Sequence, residues 1–401
     1  MQPSPTRSER AADRASPGLR GAAPTGELAP GAVLVGVDLG QADPDRELHE
    51  LHELAMSAGL RPCAAVWSAR RRIDPALYLG SGKVDEIKAL VQEHSASWVL
   101  FDNALSPAQQ RNLERALGVT VWDRTALILE IFARRARSGE GRLQVELARL
   151  RYAVTRLVRG WTHLERQQGG IGLRGGPGEK QIELDRRMLE DKIKLLQQRL
   201  RKLERQRATQ RRARARGGVL QVSIVGYTNA GKSTLFNALT HSRGYVADQL
   251  FATLDTTARR VFLGDGHYAV ISDTVGFIRE LPHTLVEAFK ATLDEALDAD
   301  VLLHVVDLSN ARRDEQIEQV NAVLAEIGAQ DIPQVLVYNK IDKLAEPIPY
   351  SARFAAHAGP GGRDSIKCFD VSALTGIGLD ALRAHLAALA AQAAAQTVVH
   401  A

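Results

Sequence analysis

The run Gly226-Tyr227-Thr228-Asn229-Ala230-Gly231-Lys232-Ser233 fits the pattern GxxxxGK[ST]. An apolar strand, Leu220–Val225, precedes it and a helical stretch, Thr234–Leu239, follows, which is the setting in which such a run wraps phosphate. Its glycines let the backbone curl round an anion, and the N–H groups at the start of the following helix converge on it. Lys232 is then placed for the β and γ phosphates of a nucleotide, and the Ser233 hydroxyl for the magnesium ion (Mg2+) that accompanies them.

The identity of the base is written farther along. Asn339-Lys340-Ile341-Asp342 directly follows the apolar run Gln334–Val337. A carboxylate at Asp342 can accept from both the N1–H and the 2-amino group of guanine. Adenine offers neither donor and would leave the acid buried and unpaired, a penalty that enforces selection. Asn339 would brace this loop, Lys340 would cover the ring, and a backbone N–H within Ser372-Ala373-Leu374 would meet the guanine carbonyl. These spacings make GTP and GDP the expected ligands.

Between the two motifs lies Asp273-Thr274-Val275-Gly276, at the end of a strand. Asp273 would hold magnesium through water, and the Gly276 amide would meet the γ-phosphate. Upstream, Phe251-Ala252-Thr253-Leu254-Asp255 and the adjoining Thr256 and Thr257 offer hydroxyls that could ligate the metal only while the third phosphate is present. Loss of that phosphate would release both segments, an order–disorder switch. Many GTPases place a glutamine just after DxxG to orient the attacking water. Here that position is Phe277, which can neither accept nor donate, so water must be held by backbone near Thr253 and Gly276 or by a partner.

These residues need strands and helices to carry them. Residues 218–398 alternate strand and helix, with Leu220–Val225, Tyr268–Ser272, Val301–Val306, Gln334–Val337 and Ile366–Val371 as parallel strands and 378–395 as a closing helix. Residues 31–139 show a second α/β rhythm, with strands Ala32–Val37, Pro62–Trp67, Trp98–Phe101 and Val119–Trp122, and helices near 45–58, 83–93, 106–117 and 124–138. Ser106-Pro107 supplies an N-cap and a first-turn proline. Residues 140–217 differ. Leu143, Leu147, Leu150, Val154, Leu157, Trp161 and Leu164 alternate by four and three, and Ile182, Leu189, Ile193, Leu196, Leu200 and Leu203 resume that spacing. Such a repeat keeps one seam facing a partner helix and predicts an antiparallel helical hairpin. At 1.5 Å per residue its first arm would project roughly 33 Å. The fold class is therefore α/β, with an N-terminal domain, a helical hairpin and a C-terminal P-loop domain.

Charge singles out the hairpin. Residues 151–216 hold 19 Lys or Arg against 7 Asp or Glu, an excess of 12 in a chain of net charge +5, so the remainder sums to −7. Such asymmetry is expected of an element that faces a polyanion while its flanks do not; the alternative is a solvated helix rich in Arg. Its tip, residues 169–178, has six glycines in ten residues, and Arg174 with Gly175 and Gly176 can bring bare backbone and a cation against phosphate or base. The two cysteines, Cys63 and Cys368, form no disulfide framework and point to a reducing cytoplasm. No apolar run approaches a membrane span. Residues 1–30 mix Arg, Pro and Gly with Glu9, Asp13 and Glu27, a disordered tail rather than a secretory signal.

The series GYTNAGKS, FATLD, DTVGFIR, NKID and SAL closely resembles the HflX family, in the translation-factor-related class of GTPases. The stretches from Gly80 to Ile87, around Asp123-Arg124-Thr125, and from Gly175 to Glu179 resemble that family's N-terminal and hairpin signatures, so the likeness covers roughly residues 31–395. The resemblance implies a GTPase of the large ribosomal subunit that splits stalled or idle ribosomes, often linked to heat stress, with the hairpin tip entering the peptidyl-transferase region. It selects Thr253 as the metal-binding threonine. The same class includes GTPases in which an Asn at the place of Asn229 helps bind potassium (K+), a cation able to act as an arginine finger does; the alternative is that Asn229 only stabilises its loop. Some members carry an additional C-terminal domain, whose contacts are not expected here. A monomer suffices.

Two other functions stay open: a GTP-gated rRNA-binding module in ribosome assembly or hibernation, and a GTPase partner of RNA modification. The second is disfavoured because the relevant family ends in a catalytic cysteine and this chain in Val-Val-His-Ala. Three patterns are set aside. Gly80-Ser81-Gly82-Lys83 has Leu77 in place of the first P-loop glycine and reads as a strand-to-helix turn, with a second nucleotide site as the alternative. His49-Glu50-Leu51-His52 has the wrong spacing for HExxH zinc. Cys63 and Cys368 read as packing residues.

Overall fold

A computed structural model describes residues 29–40, 43–157, 177–215, 219–242, 250–264, 266–279, 295–344 and 367–399. The chain divides into two compact units, residues up to 134 with 142–200, and residues 135–141 with those from 201 onward.

In the first unit, β1 (Gly31–Asp38), β2 (Arg61–Ala69), β3 (Trp98–Phe101) and β4 (Thr120–Asp123) form a parallel sheet in the order β2-β1-β3-β4. The connecting helices are α1 (Pro44–Ser57), α2 (Ser81–Glu93) and α3 (Pro107–Leu117), and α4 (Arg124–Arg135) follows β4. Continuous apolar runs form these strands because helices cover them, and Val33, Val35, Val99, Phe101 and Val121 are fully buried. The start of α3 follows from Ser106, which accepts from Gln109 N–H while the Gln109 side chain accepts from Ser106 N–H. At the strand ends, Arg124 is buried between Glu50 and Asp102. Burial opposes the charge, but the two carboxylates outweigh it and raise the guanidinium's pKa.

The hairpin helices are α5 (Gly139–Leu157) and α6 (Pro177–Ala215). Leu147 and Leu150 of α5 bury against Leu196 and Leu200 of α6, joined by Leu143, Leu189 and Ile193, which is the seam read from the repeat. Glu146 and Lys192 pair across it at 2.8 Å. The projecting first arm needs correction over its described length. Val145 and Ala148 are also buried, Arg149 pairs with Glu130, Tyr152 donates to Asp123 at 3.0 Å, and Arg156 bonds Asp123 and the Leu105 carbonyl. The helix carries two apolar stripes, so it packs on the N-terminal sheet layer as well as on α6. Trp161, Leu164 and the tip, with Arg174, Gly175 and Gly176, lie outside the described residues, as does the tail up to residue 28.

The second unit has a six-stranded sheet in the order β10-β9-β8-β5-β7-β6, built from β5 (Leu220–Gly226), β6 (Thr257–Gly264), β7 (His267–Asp273), β8 (Val301–Asp307), β9 (Gln334–Asn339) and β10 (Cys368–Asp370). All pairs are parallel except β6 with β7. Helices α7 (Lys232–Thr240), α8 (Arg313–Ile327) and α9 (Leu379–Val399) flank it. Ile224, Leu235, Leu303, Val305, Val337, Leu382 and Leu386 form the core. Each such buried side chain contributes about 1.5–3 kcal/mol. The chain leaves β5 toward β7 on one side and reaches β8 on the other, so the crevice at the carboxyl end of β5 is where a ligand fits. Among the described residues no helix is long and apolar enough to cross a membrane, and no group of His, Cys, Asp or Glu is placed to hold a metal by itself.

Candidate active site

A cavity of about 310 Å³ lies at that rim. Thr228, Asn229, Gly231, Lys232, Ser233 and Thr234 line it from the loop after β5 and the start of α7. Phe251, Ala252 and Thr253 line it from the segment before β6, and Thr274 and Gly276 from the loop after β7. Asn339, Lys340, Asp342 and Lys343 enter after β9, and Ala373 and Leu374 after β10. Five strand ends thus deliver the motifs to one place.

The loop after β5 turns on residues in the left-handed region, Asn229 at φ 62° and Gly231 at φ 93°. Gly231 must also stay bare, because a Cβ there would run into the Asn339 amide. Lys232 is buried and donates to its own loop at the Tyr227 carbonyl, 2.6 Å away. Burial lowers its pKa to about 8; Asp273 opposes that shift and Lys340 adds to it. Gly276 packs over this amine, since a Cβ on it would sit 3.0 Å from Lys232 Nζ and 2.8 Å from Thr228 Cγ2.

Ser233, Thr253 and Asp273 converge from three segments. Ser233 Oγ lies 2.6 Å from Thr253 Oγ1, which donates to Asp273 Oδ2 at 2.9 Å. Asp273 Oδ1 is buried without a hydrogen-bond partner. Burial raises the carboxyl's pKa, while bonds from Ser233 and Thr253 and the charge of Lys232 pull the other way. Two hydroxyls and a carboxylate with an unused oxygen are a donor set for a hard cation, so these residues fit magnesium.

The part of the cavity formed by the loops after β9 and β10 is held by hydrogen bonds of its own. Asn339 is buried; its amide donates to the Ala230 carbonyl at 3.0 Å and its oxygen accepts from Ala373 N–H at 2.9 Å. Ser372 Oγ donates to Asp342 at 2.5 Å. Lys340 pairs with Asp307 at 2.8 Å.

Several residues assigned from sequence do not line the cavity. Gly226, Tyr227, Ala230 and Asp273 are buried. Val275 is buried in the interior, Ile341 packs near Leu336 and Tyr338, and Ser372 holds Asp342 from behind. Leu254 is buried, and Asp255 is directed to Ser138. Phe277 is also buried, yet its backbone staples the site: its carbonyl accepts from Thr228 N–H at 2.7 Å and its N–H donates to Gly226 at 3.1 Å.

Sequence reasoning missed Asp307, Thr234, Lys343 and the Tyr227 hydroxyl, which accepts from Arg279 N–H at 3.0 Å. Asp307 was findable, because it ends the apolar strand Val301–Val306 as Asp273 ends its own. Lys83 pairs with Glu86 at 2.8 Å, Glu50 with Arg124, and His49 with Glu53. Cys63 and Cys368 are half-buried strand residues.

Comparison with known proteins follows the same three parts. Family models described as GTP-binding GTPase N-terminal, GTP-binding GTPase Middle Region and 50S ribosome-binding GTPase match residues 45–133, 135–214 and 221–340. The chain is 56% identical over 315 residues to GTPase HflX of Escherichia coli (strain K12), covering 79% of this chain and 74% of that protein. It is 54% identical over 299 residues to GTPase HflX of Magnetococcus marinus, covering 75% and 69%. Among solved structures, the crystal structure of SsGBP in complex with GDP matches with a TM-score of 0.52 and 25% identity, over 90% of this chain and 99% of that one. With its P-loop, its guanine-selective sequence and these relatives, the chain belongs to the HflX family and is a GTPase that converts GTP and water to GDP and phosphate.

Proposed function

We propose that this GTPase acts on the large ribosomal subunit and separates stalled or idle ribosomes into subunits, including during heat stress. The observation that carries the reading is the juxtaposition of a G domain matched by a 50S ribosome-binding family model with a hairpin segment of strongly positive charge. Arg174, Gly175 and Gly176 at the hairpin tip would meet rRNA. The protein works as a cytoplasmic monomer.

Within the site, Lys232 and the N–H groups from Asn229 to Ser233 bind the β and γ phosphates. Asp342 receives the guanine N1–H and amino group, Lys340 covers the ring, and a backbone N–H within Ser372-Ala373-Leu374 faces the guanine carbonyl. Ser233 and Thr253 would hold magnesium, with Asp273 acting through water, and the ion would neutralise phosphate charge. The Gly276 N–H meets the γ-phosphate, and backbone at Thr253 and Gly276 orients the attacking water because the Phe277 side chain is buried. Potassium beside Asn229 is a further candidate for charge stabilisation.

Sucrose-gradient sedimentation tests the ribosomal role. Whole ribosomes should convert to subunits with the protein and GTP, and stay whole with GDP or when Arg174 and the tip glycines are replaced. Co-migration with an unchanged ribosome profile would refute splitting and favour a GTP-gated rRNA-binding module.

A further inference from the structure

Two residues beyond Thr253, Asp255 leaves the nucleotide cavity and bonds a distant piece of chain in the same unit. Its Oδ2 accepts from the N–H groups of Arg137 and Ser138, each at 2.8 Å, and its Oδ1 accepts from Ser138 Oγ at 2.5 Å. Ser138 Oγ in turn accepts from Gly141 N–H at 2.8 Å, so Ser138 caps the first turn of α5. Three donors meet the two oxygens of one carboxylate, which has acceptor sites for all of them. The start of a helix adds a favourable field for negative charge. Gly141 completes the fit, because any Cβ there would collide with Asp255 Oδ1.

The segment is therefore fastened at two points with buried Leu254 between them. Thr253 holds Ser233 and Asp273, the groups that a nucleotide and its metal must engage. Asp255 holds the Arg137–Gly141 segment through Arg137 and Ser138. A side chain two positions from a fixed anchor has little freedom, so the anchor sets where the Thr253 hydroxyl stands.

We propose that Asp255 is a positioning residue for GTP hydrolysis, latching the Phe251–Asp255 segment to the capped start of α5 so that Thr253 is presented to the third phosphate. By reciprocity of coupled equilibria, the first turn of α5 then responds to whether that phosphate is present. Contact between the latch and the nucleotide is not required; the coupling runs through two peptide units.

The test compares Asp255→Ala, Ser138→Ala, Gly141→Ala and the double variant Asp255→Ala with Ser138→Ala. Each should bind GDP like the unaltered protein, because GDP makes no demand on Thr253. Turnover should fall about tenfold at saturating GTP in Asp255→Ala, with KM moving less than about threefold, the cost of a misplaced reacting group. Gly141→Ala should share the loss although it removes no polar group. The double variant should be no slower than Asp255→Ala alone, as expected for two halves of one interaction. Hydrogen exchange should find the Arg137 and Ser138 amides protected with a non-hydrolysable GTP analogue, exposed with GDP, and exposed in Asp255→Ala with either. Unchanged turnover in Ser138→Ala and Gly141→Ala, losses that multiply in the double variant, or equal amide protection with both nucleotides would overturn the proposal. The Ser138 and Gly141 variants decide the question even where Asp255→Ala does not fold.

Discussion

The side-chain amide of Asn339 donates to the carbonyl of Ala230, 109 residues earlier, at 3.0 Å. Its oxygen accepts from Ala373 N–H at 2.9 Å. One buried side chain thus ties the phosphate loop, the loop after β9 and the loop after β10 into a single body.

Asn339→Ala should cost more than a lost contact. It strands the Ala230 carbonyl and the Ala373 N–H, each worth about 1–3 kcal/mol when buried and unpaired. Thermal unfolding should show a fall of several degrees in Tm, and GDP affinity should drop with it. A variant that weakens GDP binding with Tm unchanged would mean that the three loops hold together without this residue.

Asp342→Asn should exchange base preference. The amide keeps the shape and the bond from Ser372 but cannot accept from both guanine donors. GTP affinity should fall by roughly a hundredfold and xanthosine triphosphate should become the better competitor for labelled GDP. Equal competition by both nucleotides would remove Asp342 from base recognition.

Gly276→Ala separates the two nucleotides. The added methyl would press on Thr228 Cγ2 at 2.8 Å and on Lys232 Nζ at 3.0 Å, so the loop after β7 must retreat from the place of the third phosphate. GDP affinity should stay within about twofold, while turnover falls at least about tenfold through loss of an aligned donor. Wild-type turnover in this variant would place the γ-phosphate contact elsewhere.

Lys232 supplies a pH prediction. Its pKa of about 8 in the nucleotide-free protein is set mainly by burial. Phosphate charge beside it raises that value on binding, so above about pH 8 binding takes up a proton and affinity falls as pH rises. Well below that pH the amine is charged in both states and the uptake vanishes. Calorimetry in two buffers of different ionisation heat should find about half a proton taken up per GDP near pH 8. Lys232→Arg, charged throughout, should show no uptake at that pH; equal uptake in both proteins would assign the proton to another group.

Much of this arrangement is written locally. The P-loop and the four-three repeat of Leu143, Leu147 and Leu150 depend on near neighbours, and both appear in the structure at the residues that spell them. Edge strand β6 was missed because Thr257–Arg260 are all exposed and only Val261 is buried, so no alternation marks it. The docking of α5 on the N-terminal layer was hidden by the stronger coiled-coil stripe, although Val145 and Ala148 form a second one.

The turn of Asp255 away from the cavity could not be read at all. Its partners lie 117 and 118 residues away, and two of the three donors are backbone N–H groups that carry no residue-type signature. Even the cap is disguised, since Ser138 is followed three positions later by Gly141 rather than the Glu or Gln of a capping box. Long-range backbone acceptors become visible only once the chain is folded.

The burial of Phe277 has a consequence for economy. Swinging that ring outward to make room for a polar helper would forfeit about 1.5–3 kcal/mol of shielding from solvent. The buried ring thus keeps a side-chain helper out of the position that follows Gly276.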